Sequence, residues 1–275
     1  GPRLSAARPT IFLGARGGLT FDLIIEAREG GHHSGNWGGL ISNPGIELAH
    51  AIACLVGPTG QIRVPGFVPE NIPPSVRRVL ADIEVTSAEG GPAIEPHWGE
   101  PGLTLAEKVF GWCNLEVLAF ECGNPKAPVN AIPPRAFARM QLRFVVGVDT
   151  EAMLPALRRH LDRHGFAHVR IAKSRDDMFL ATRIDPDHPH VQFAIESLAH
   201  THGGRPAILP NLGGSLPNDI FTDVLGLTTI WVPHSYPACS QHAPDEHVPV
   251  HIIEEGLGLM AGLYWDIGEG LPKLS

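Results

Sequence analysis

The chain has 275 residues, of which 43% are hydrophobic and 18% charged, with 31 glycines, 26 prolines and a formal net charge of -8. That length and apolar content support one large domain or two ordinary ones with a real core, and the glycine and proline content predicts many loops and short elements. A negative balance with no basic block argues against nucleic acid and anionic membrane as partners, and the longest apolar runs, such as residues 115–120, are too short to span a bilayer.

No segment pairs a charged start with an apolar stretch in the manner of an export signal. Cys54, Cys113, Cys122 and Cys239 form no CxxC pair, which favours reduced thiols and a cytoplasmic setting. Residues 1–9 read as a loop, and residues 10–14 as a buried strand with nothing before it to pair with. Residues 21–27 alternate apolar and polar like a half-buried strand. A glycine-rich loop follows over residues 30–39. A helix is predicted over 44–56, opened by Pro44, with Ile46, Ala49, Ala53 and Val56 on its apolar face. Residues 57–111 are weakly patterned and broken by Pro65, Pro69, Pro73 and Pro74. Within them helices are predicted over 75–83, capped by Ser75, and over 103–110. Residues 115–121 and 136–146 read as strands, Thr150 caps a helix reaching about His164, and residues 167–171 form a further strand. The order strand, helix, strand, strand, helix, strand predicts a ferredoxin-like α+β sandwich carrying a long insertion. From about residue 185 the pattern is helix 191–200, strand 207–210, helix 219–225, buried strand 228–232 and helix 250–267. Such alternation means an α/β arrangement, and two strands with three helices make only a piece of a larger sheet.

Several residues could carry chemistry. The loop after strand 228–232 holds His242, followed three and four residues later by Asp245 and Glu246. A neutral imidazole is a common metal ligand and carboxylates orient it, but one histidine cannot hold zinc; a loop or capping histidine is the alternative. In the loop with His33, Ser34 and Gly35, the glycines allow close backbone approach to a ligand and the histidine could donate to developing negative charge; a tight turn with a solvated histidine is the other reading. Gly213, Gly214 and Ser215 lie between a strand and a helix, where backbone amides suit a carboxylate, or make a plain turn. The P-loop lysine and the full GxGxxG are missing there, which argues against a nucleotide. His160 and His164 have helical i,i+4 spacing, but their neighbours Arg158, Arg159, Asp162 and Arg163 predict a solvated face. His188, His190, His200 and His202 are expected at the surface. Arg143 lies inside an apolar strand and either points to water or grips a carboxylate bidentately.

The segments Gly14-Ala15-Arg16-Gly17, His33-Ser34-Gly35-Asn36-Trp37-Gly38-Gly39, Val129-Asn130-Ala131-Ile132-Pro133, Gln141-Leu142-Arg143, Gly213-Gly214-Ser215 and Gln241-His242-Ala243-Pro244-Asp245-Glu246 occur in one order across nearly the whole chain. In that order they resemble the co-catalytic zinc metallopeptidase family of carnosinase, aminoacylase, carboxypeptidase G and succinyl-diaminopimelate desuccinylase, most of all its dipeptidase branch. The resemblance implies an α/β fold in three parts. Residues 1–17 would give a strand to the catalytic domain, 18–182 would form the ferredoxin-like lid and dimerisation domain, and 183–275 would be the C-terminal part of the catalytic domain. It implies that His33 polarises the scissile carbonyl in the partner subunit, and that Asn130 touches substrate from across the dimer. Arg143 would hold a substrate carboxylate, Gly214 and Ser215 would form a substrate-binding loop, and His242 would be the last metal ligand. The family's HxD motif, bridging aspartate and Glu-Glu pair have no match here. The resemblance therefore implies a C-terminal portion of a two-zinc hydrolase of dipeptides or N-acyl amino acids, a homodimer, with at most weak zinc binding and no activity as an isolated chain. A non-catalytic dimerisation or binding module is the competing reading.

Overall fold

A computed structural model describes residues 3–87, 92–173 and 178–272. The chain opens with β1 (Thr10–Phe12), β2 (Gly14–Ala15) and β3 (Gly17–Glu26), then β4 (His32–His33) and the one-turn α1 (Ser34–Trp37). Next come α2 (Pro44–Leu55), α3 (Pro74–Leu80), α4 (Leu105–Phe110), β5 (Asn114–Cys122), β6 (Ala131–Ile132) and β7 (Arg135–Phe144). The remainder is α5 (Met153–Arg163), β8 (Arg170–Lys173), β9 (Thr182–Arg183), α6 (Pro189–His202), β10 (Ala207–Leu209) and α7 (Val250–Glu269).

Four strands form one sheet in the order β5-β7-β3-β8, with every neighbouring pair antiparallel. This is the ferredoxin-like arrangement, with α2 and α5 as its two crossover helices. Period-two alternation makes one face dry. Leu19, Phe21, Leu23 and Ile25 of β3 and Ala138, Met140 and Leu142 of β7 pack with Leu48 and Leu55 of α2 and Met153, Leu157 and Leu161 of α5. The opposite face is polar: Arg139 donates to both carboxylate oxygens of Asp22 at 2.8 and 3.0 Å across the β3–β7 register. The buried stripe of α2 is Pro44, Leu48, Ala51 and Leu55 rather than the expected Ile46, Ala49, Ala53 and Val56, and Ile46 is 60% exposed. The helix is apolar almost all round, so periodicity alone offered two equivalent stripes.

The weakly patterned insertion is packed on both sides. Val64 and Phe67 enter the core of the four-stranded sheet. Ile72, Val76, Leu80, Ile83 and Ala106 pack instead with Phe12, Ala15, Ala207 and Leu209. Its helices start differently from expectation. At α3, Pro74 takes the first turn and no side chain caps it, so Ser75 lies inside the helix. At α4, Thr104 and Glu107 form a reciprocal capping box with bonds of 2.8 and 3.2 Å. Before α5 the acceptor is Asp149 rather than Thr150: its Oδ1 takes the amides of Glu151 and Ala152 at 3.0 and 3.2 Å, a turn that a short carboxylate makes readily.

The lone strand near the start finds its partner late in the chain: β1 pairs in parallel with β10. Ile11 and Leu13 then pack with Val191, Ile195, Leu198 and Leu259 of α6 and α7. The expected strand over 228–232 reduces to one antiparallel bridge between Phe12 and Trp231, with bonds of 2.8 and 2.9 Å. β1 is only three residues long, so it offers little backbone on that side, and Thr228 is exposed. The expected helix over 219–225 is a five-residue π turn, Ile220–Val224, which buries none of its residues. Arg3, in the expected opening loop, is buried and donates to Glu255 of α7 at 2.6 Å. Among the described residues no helix is long and apolar enough to cross a membrane.

Candidate functional site

Along β7 the residues facing away from α2 and α5 include Arg139, Gln141 and Arg143. Register places Arg143 opposite Gly18. The Arg143 side chain does not simply enter water: its Nη1 donates to Ser215 Oγ at 2.6 Å. Gly18 makes room for this contact, because a Cβ there would sit 3.2 Å from Ser215 Oγ and 3.5 Å from Arg143 Nη1. A second arginine holds the same loop. Arg16, between β2 and β3, donates through Nε to the Gly213 carbonyl at 2.8 Å and through Nη1 to Asn114 Oδ1 at 2.9 Å, and its amide reaches the Gly214 carbonyl at 3.2 Å. Residues 213–215 are thus pinned by two guanidinium groups.

Those groups are partly desolvated, and for Arg16 the attraction of Glu116 offsets only part of that cost. Burial, and after it the charge of Arg143, pushes Arg16 down to about 10. Burial lowers Arg143 as well. Among the described residues neither arginine has an ion-pair partner. Two partly desolvated cations beside a hydroxyl attract a carboxylate, which would relieve their repulsion and accept their free N–H groups. Arg16 also lines a cleft of about 480 Å³ shared with Trp98, Val109, Trp112, Asn114 and Glu116.

His33 and Asn130 form a second group. β4 pairs with β6, setting His33 opposite Ala131, and the Asn130 carbonyl accepts from the Ser34 amide at 2.9 Å and the Ser34 hydroxyl at 3.2 Å. His33 caps α1: its Nδ1 accepts the Gly35 amide at 3.1 Å. In the neutral ring the proton then sits on Nε2, leaving an N–H donor on an exposed side chain. A Cβ at Gly35 would lie 2.8 Å from the His33 ring, so the glycine permits this cap.

His242 stands apart in a loop, exposed, with a left-handed backbone (φ 61°) and its amide donating to Glu246 Oε2 at 3.2 Å. Glu246 in turn lines a cleft of about 420 Å³ with Phe12, Leu216, Trp231 and His234. Among the described residues His242 belongs to no group of three Cys, His, Asp or Glu side chains spaced to hold a metal. Its surroundings within this chain therefore do not by themselves fit a zinc centre, which needs three or four protein ligands. The structure joins Arg143 to Ser215 and His33 to the strand beside Asn130; among the described residues no hydrogen bond or ion pair links either pair to His242.

Sequence reasoning missed two organising residues. Arg16 lay within a matched segment, yet a lone arginine between short strands carries no signal of its partner. Asn218 is fully buried, donating to Thr182 Oγ1 at 2.8 Å and Thr229 Oγ1 at 2.9 Å while accepting Trp231 Nε1–H at 3.0 Å. It ties the loop after Ser215 to β9 and to the segment before His242. His160, expected on a solvated face, is 7% exposed, with Nε2 at 2.8 Å from the Cys54 carbonyl. His202, at the end of α6, lies 3.2 Å from Glu255. All four cysteines are free.

Residues 13–169 match the M20 peptidase dimerisation domain. The chain is similar to human Beta-Ala-His dipeptidase, with 19% identity over 97% of this chain and 54% of that protein. It is similar also to the Cys-Gly metallodipeptidase DUG1 of Saccharomyces cerevisiae, with 24% identity over 94% of this chain and 55% of that protein. Among solved structures, an M20 family metallo-carboxypeptidase from Sulfolobus solfataricus superposes with a TM-score of 0.77 at 24% identity, over 97% of this chain and 62% of that one. The dipeptidase Dug1p from Saccharomyces cerevisiae gives 0.76 at 20% identity, over 99% and 58%. The chain thus spans about half the length of the curated relatives it matches. The relatives are metallopeptidases, so hydrolysis assisted by a metal is the chemistry of the family. With the matched domain covering more than half of its residues and the fold shared throughout, the chain belongs to the M20 metallopeptidase family, of which it carries the peptidase dimerisation domain.

Proposed function

We propose that this chain supplies the lid and the C-terminal catalytic portion of a two-zinc hydrolase that cleaves peptide or amide bonds in small substrates with a free carboxylate. The observation that carries this reading is the pair Arg16 and Arg143 around Ser215: two partly desolvated guanidinium groups that form no direct salt bridge among the described residues, with Glu116 offsetting only part of the Arg16 desolvation. Arg143 and Ser215 grip the substrate carboxylate, and Gly214 shapes the loop. His33 offers its Nε2–H to the scissile carbonyl of a partner subunit, and Asn130 lies beside it to touch the same substrate. His242 contributes one metal ligand. The fully buried face of β3 and β7 anchors residues 18–182 as a lid, while 1–17 and 183–275 belong to the catalytic domain. A homodimer through the lid is supported by β5, an edge strand whose Val117, Leu118 and Phe120 are exposed.

The test is the binding of a dipeptide to this chain, compared with the same dipeptide capped as its C-terminal amide. The proposal expects the free carboxylate to bind measurably better, and Arg143→Gln to abolish the difference while the fold is kept. Equal binding of acid and amide would remove the carboxylate-recognition argument. The chain by itself, with one matched metal ligand, is expected not to hydrolyse dipeptides when supplied with zinc. Turnover at ordinary enzyme rates, traced to this chain, would refute that part.

A further inference from the structure

We infer that Cys54, His160 and His164 form a zinc site that clips α2 to α5, on the face of the four-stranded sheet opposite Arg143. One ring nitrogen of each histidine and the Cys54 Sγ all lie within 4.8 Å of one another. The two histidines are one helical turn apart on α5, with ring centroids 4.3 Å apart, and Cys54 is in the last turn of α2. Both rings already have the outer hydrogen bond that a metal-bound imidazole usually makes to a carbonyl or carboxylate. His160 Nε2 lies 2.8 Å from the Cys54 carbonyl and His164 Nδ1 lies 2.9 Å from the His160 carbonyl. A carbonyl only accepts, so each of those nitrogens carries the proton, and the lone pairs sit on His160 Nδ1 and His164 Nε2.

Two imidazoles and a thiolate suit zinc by ligand type. Zinc–nitrogen and zinc–sulfur bonds of about 2.0–2.3 Å require donors closer together than that 4.8 Å limit, so the site forms by rotation about the side-chain bonds of these three residues. His164 is exposed, so a water completes a tetrahedron. The Cys54 thiol now donates to the Ala51 carbonyl at 3.0 Å. On binding, Zn²⁺ and the thiol give a zinc thiolate and one proton, which passes to solvent. No oxidant or other reactant is involved. The product cross-links the two crossover helices of the sandwich.

The experiment uses the whole chain, stripped with chelator and titrated with Co²⁺ as a spectroscopic probe and then with Zn²⁺. One equivalent of cobalt should give a thiolate-to-metal charge-transfer band and tetrahedral visible absorption, both lost when zinc is added. Cys54→Ser should lose the charge-transfer band, and His164→Ala should weaken binding by roughly tenfold or more. His164 is exposed, so that variant keeps its fold, checked by circular dichroism. His242→Ala should leave the band unchanged, which separates this site from the proposed catalytic metal. The inference is overturned by absence of the band in the parent chain, by a band that survives Cys54→Ser, or by one that disappears in His242→Ala.

Discussion

Phe67 lies in the stretch of residues 57–111 that carries little sequence pattern, yet it is 0% exposed and its ring meets Phe21 of β3 edge to face, with centroids 6.3 Å apart and planes at 66°. Replacing it with alanine tests whether the insertion is part of the sandwich core. A buried phenylalanine removes ~150–250 Å² from water, and at about 25 cal/mol per Å² the ring accounts for at most roughly 4–6 kcal/mol, since an extended unfolded chain overstates the change. Core Phe→Ala substitutions cost about 3–5 kcal/mol once the cavity is included, and that is the loss expected here. Urea unfolding followed by near-ultraviolet circular dichroism reads it as a lower midpoint. The ring–ring part is isolated by a double-mutant cycle of Phe21→Leu and Phe67→Leu, with an expected coupling of about 0.5–1.5 kcal/mol. A loss below about 1 kcal/mol for Phe67→Ala would mean that the residue behaves as a surface position and that the insertion does not pack on the sheet.

Asn218→Ala should cost about 2–3 kcal/mol, because it strands the Trp231 N–H and removes the donor to the Thr229 and Thr182 hydroxyls, of which Thr182 keeps the Ala15 amide; a change in melting temperature within error would refute the network. Thr104→Ala removes the capping box of α4 and should cost about 1 kcal/mol, with Thr104→Ser restoring most of it; equal stability of all three proteins would count against the cap. Burial pushes the Cys113 thiol up to about 12 and the Cys54 thiol up to about 11. The thiolate is the reactive form, so in the chelator-treated, metal-free chain at pH 8 both should alkylate far more slowly when folded than in urea, and faster as pH rises towards those values. Mass mapping that finds equal folded and unfolded rates would overturn that assignment.

Much of the sandwich was legible in the sequence. Alternation along β3 and β7 and the order of strands and helices are local patterns, written within a few residues of each other, and they predict the ferredoxin-like sheet. The ordered segments from Gly14 to Glu246 likewise point to the metallopeptidase family. Even local reading had limits: α2 is apolar almost all round, so its buried stripe depended on what it faced. The same holds for Asp149, which replaced Thr150 as the acceptor before α5, because a cap is chosen by backbone geometry one residue at a time.

What only the tertiary structure decided is which distant residues meet. Arg16 bonds to Gly213, 197 positions later, and Arg143 to Ser215, 72 positions later, and no periodicity encodes either partner. Arg143 could have faced water; the absence of a side chain at Gly18 and the placement of the 213–215 loop turned it into a polar site. Residues 228–232 have the composition of a buried strand, but β1 offered them a single bridge, so Thr228 and Trp231 stay exposed and Ile230 and Val232 pack only partly. His160 is surrounded in sequence by charged residues, yet α2 packs over it and buries it beside Cys54. Composition and spacing determine the short-range conformation, because those energies act between near neighbours. The site and the helix-bridging cluster depend on which surfaces come together when the core closes.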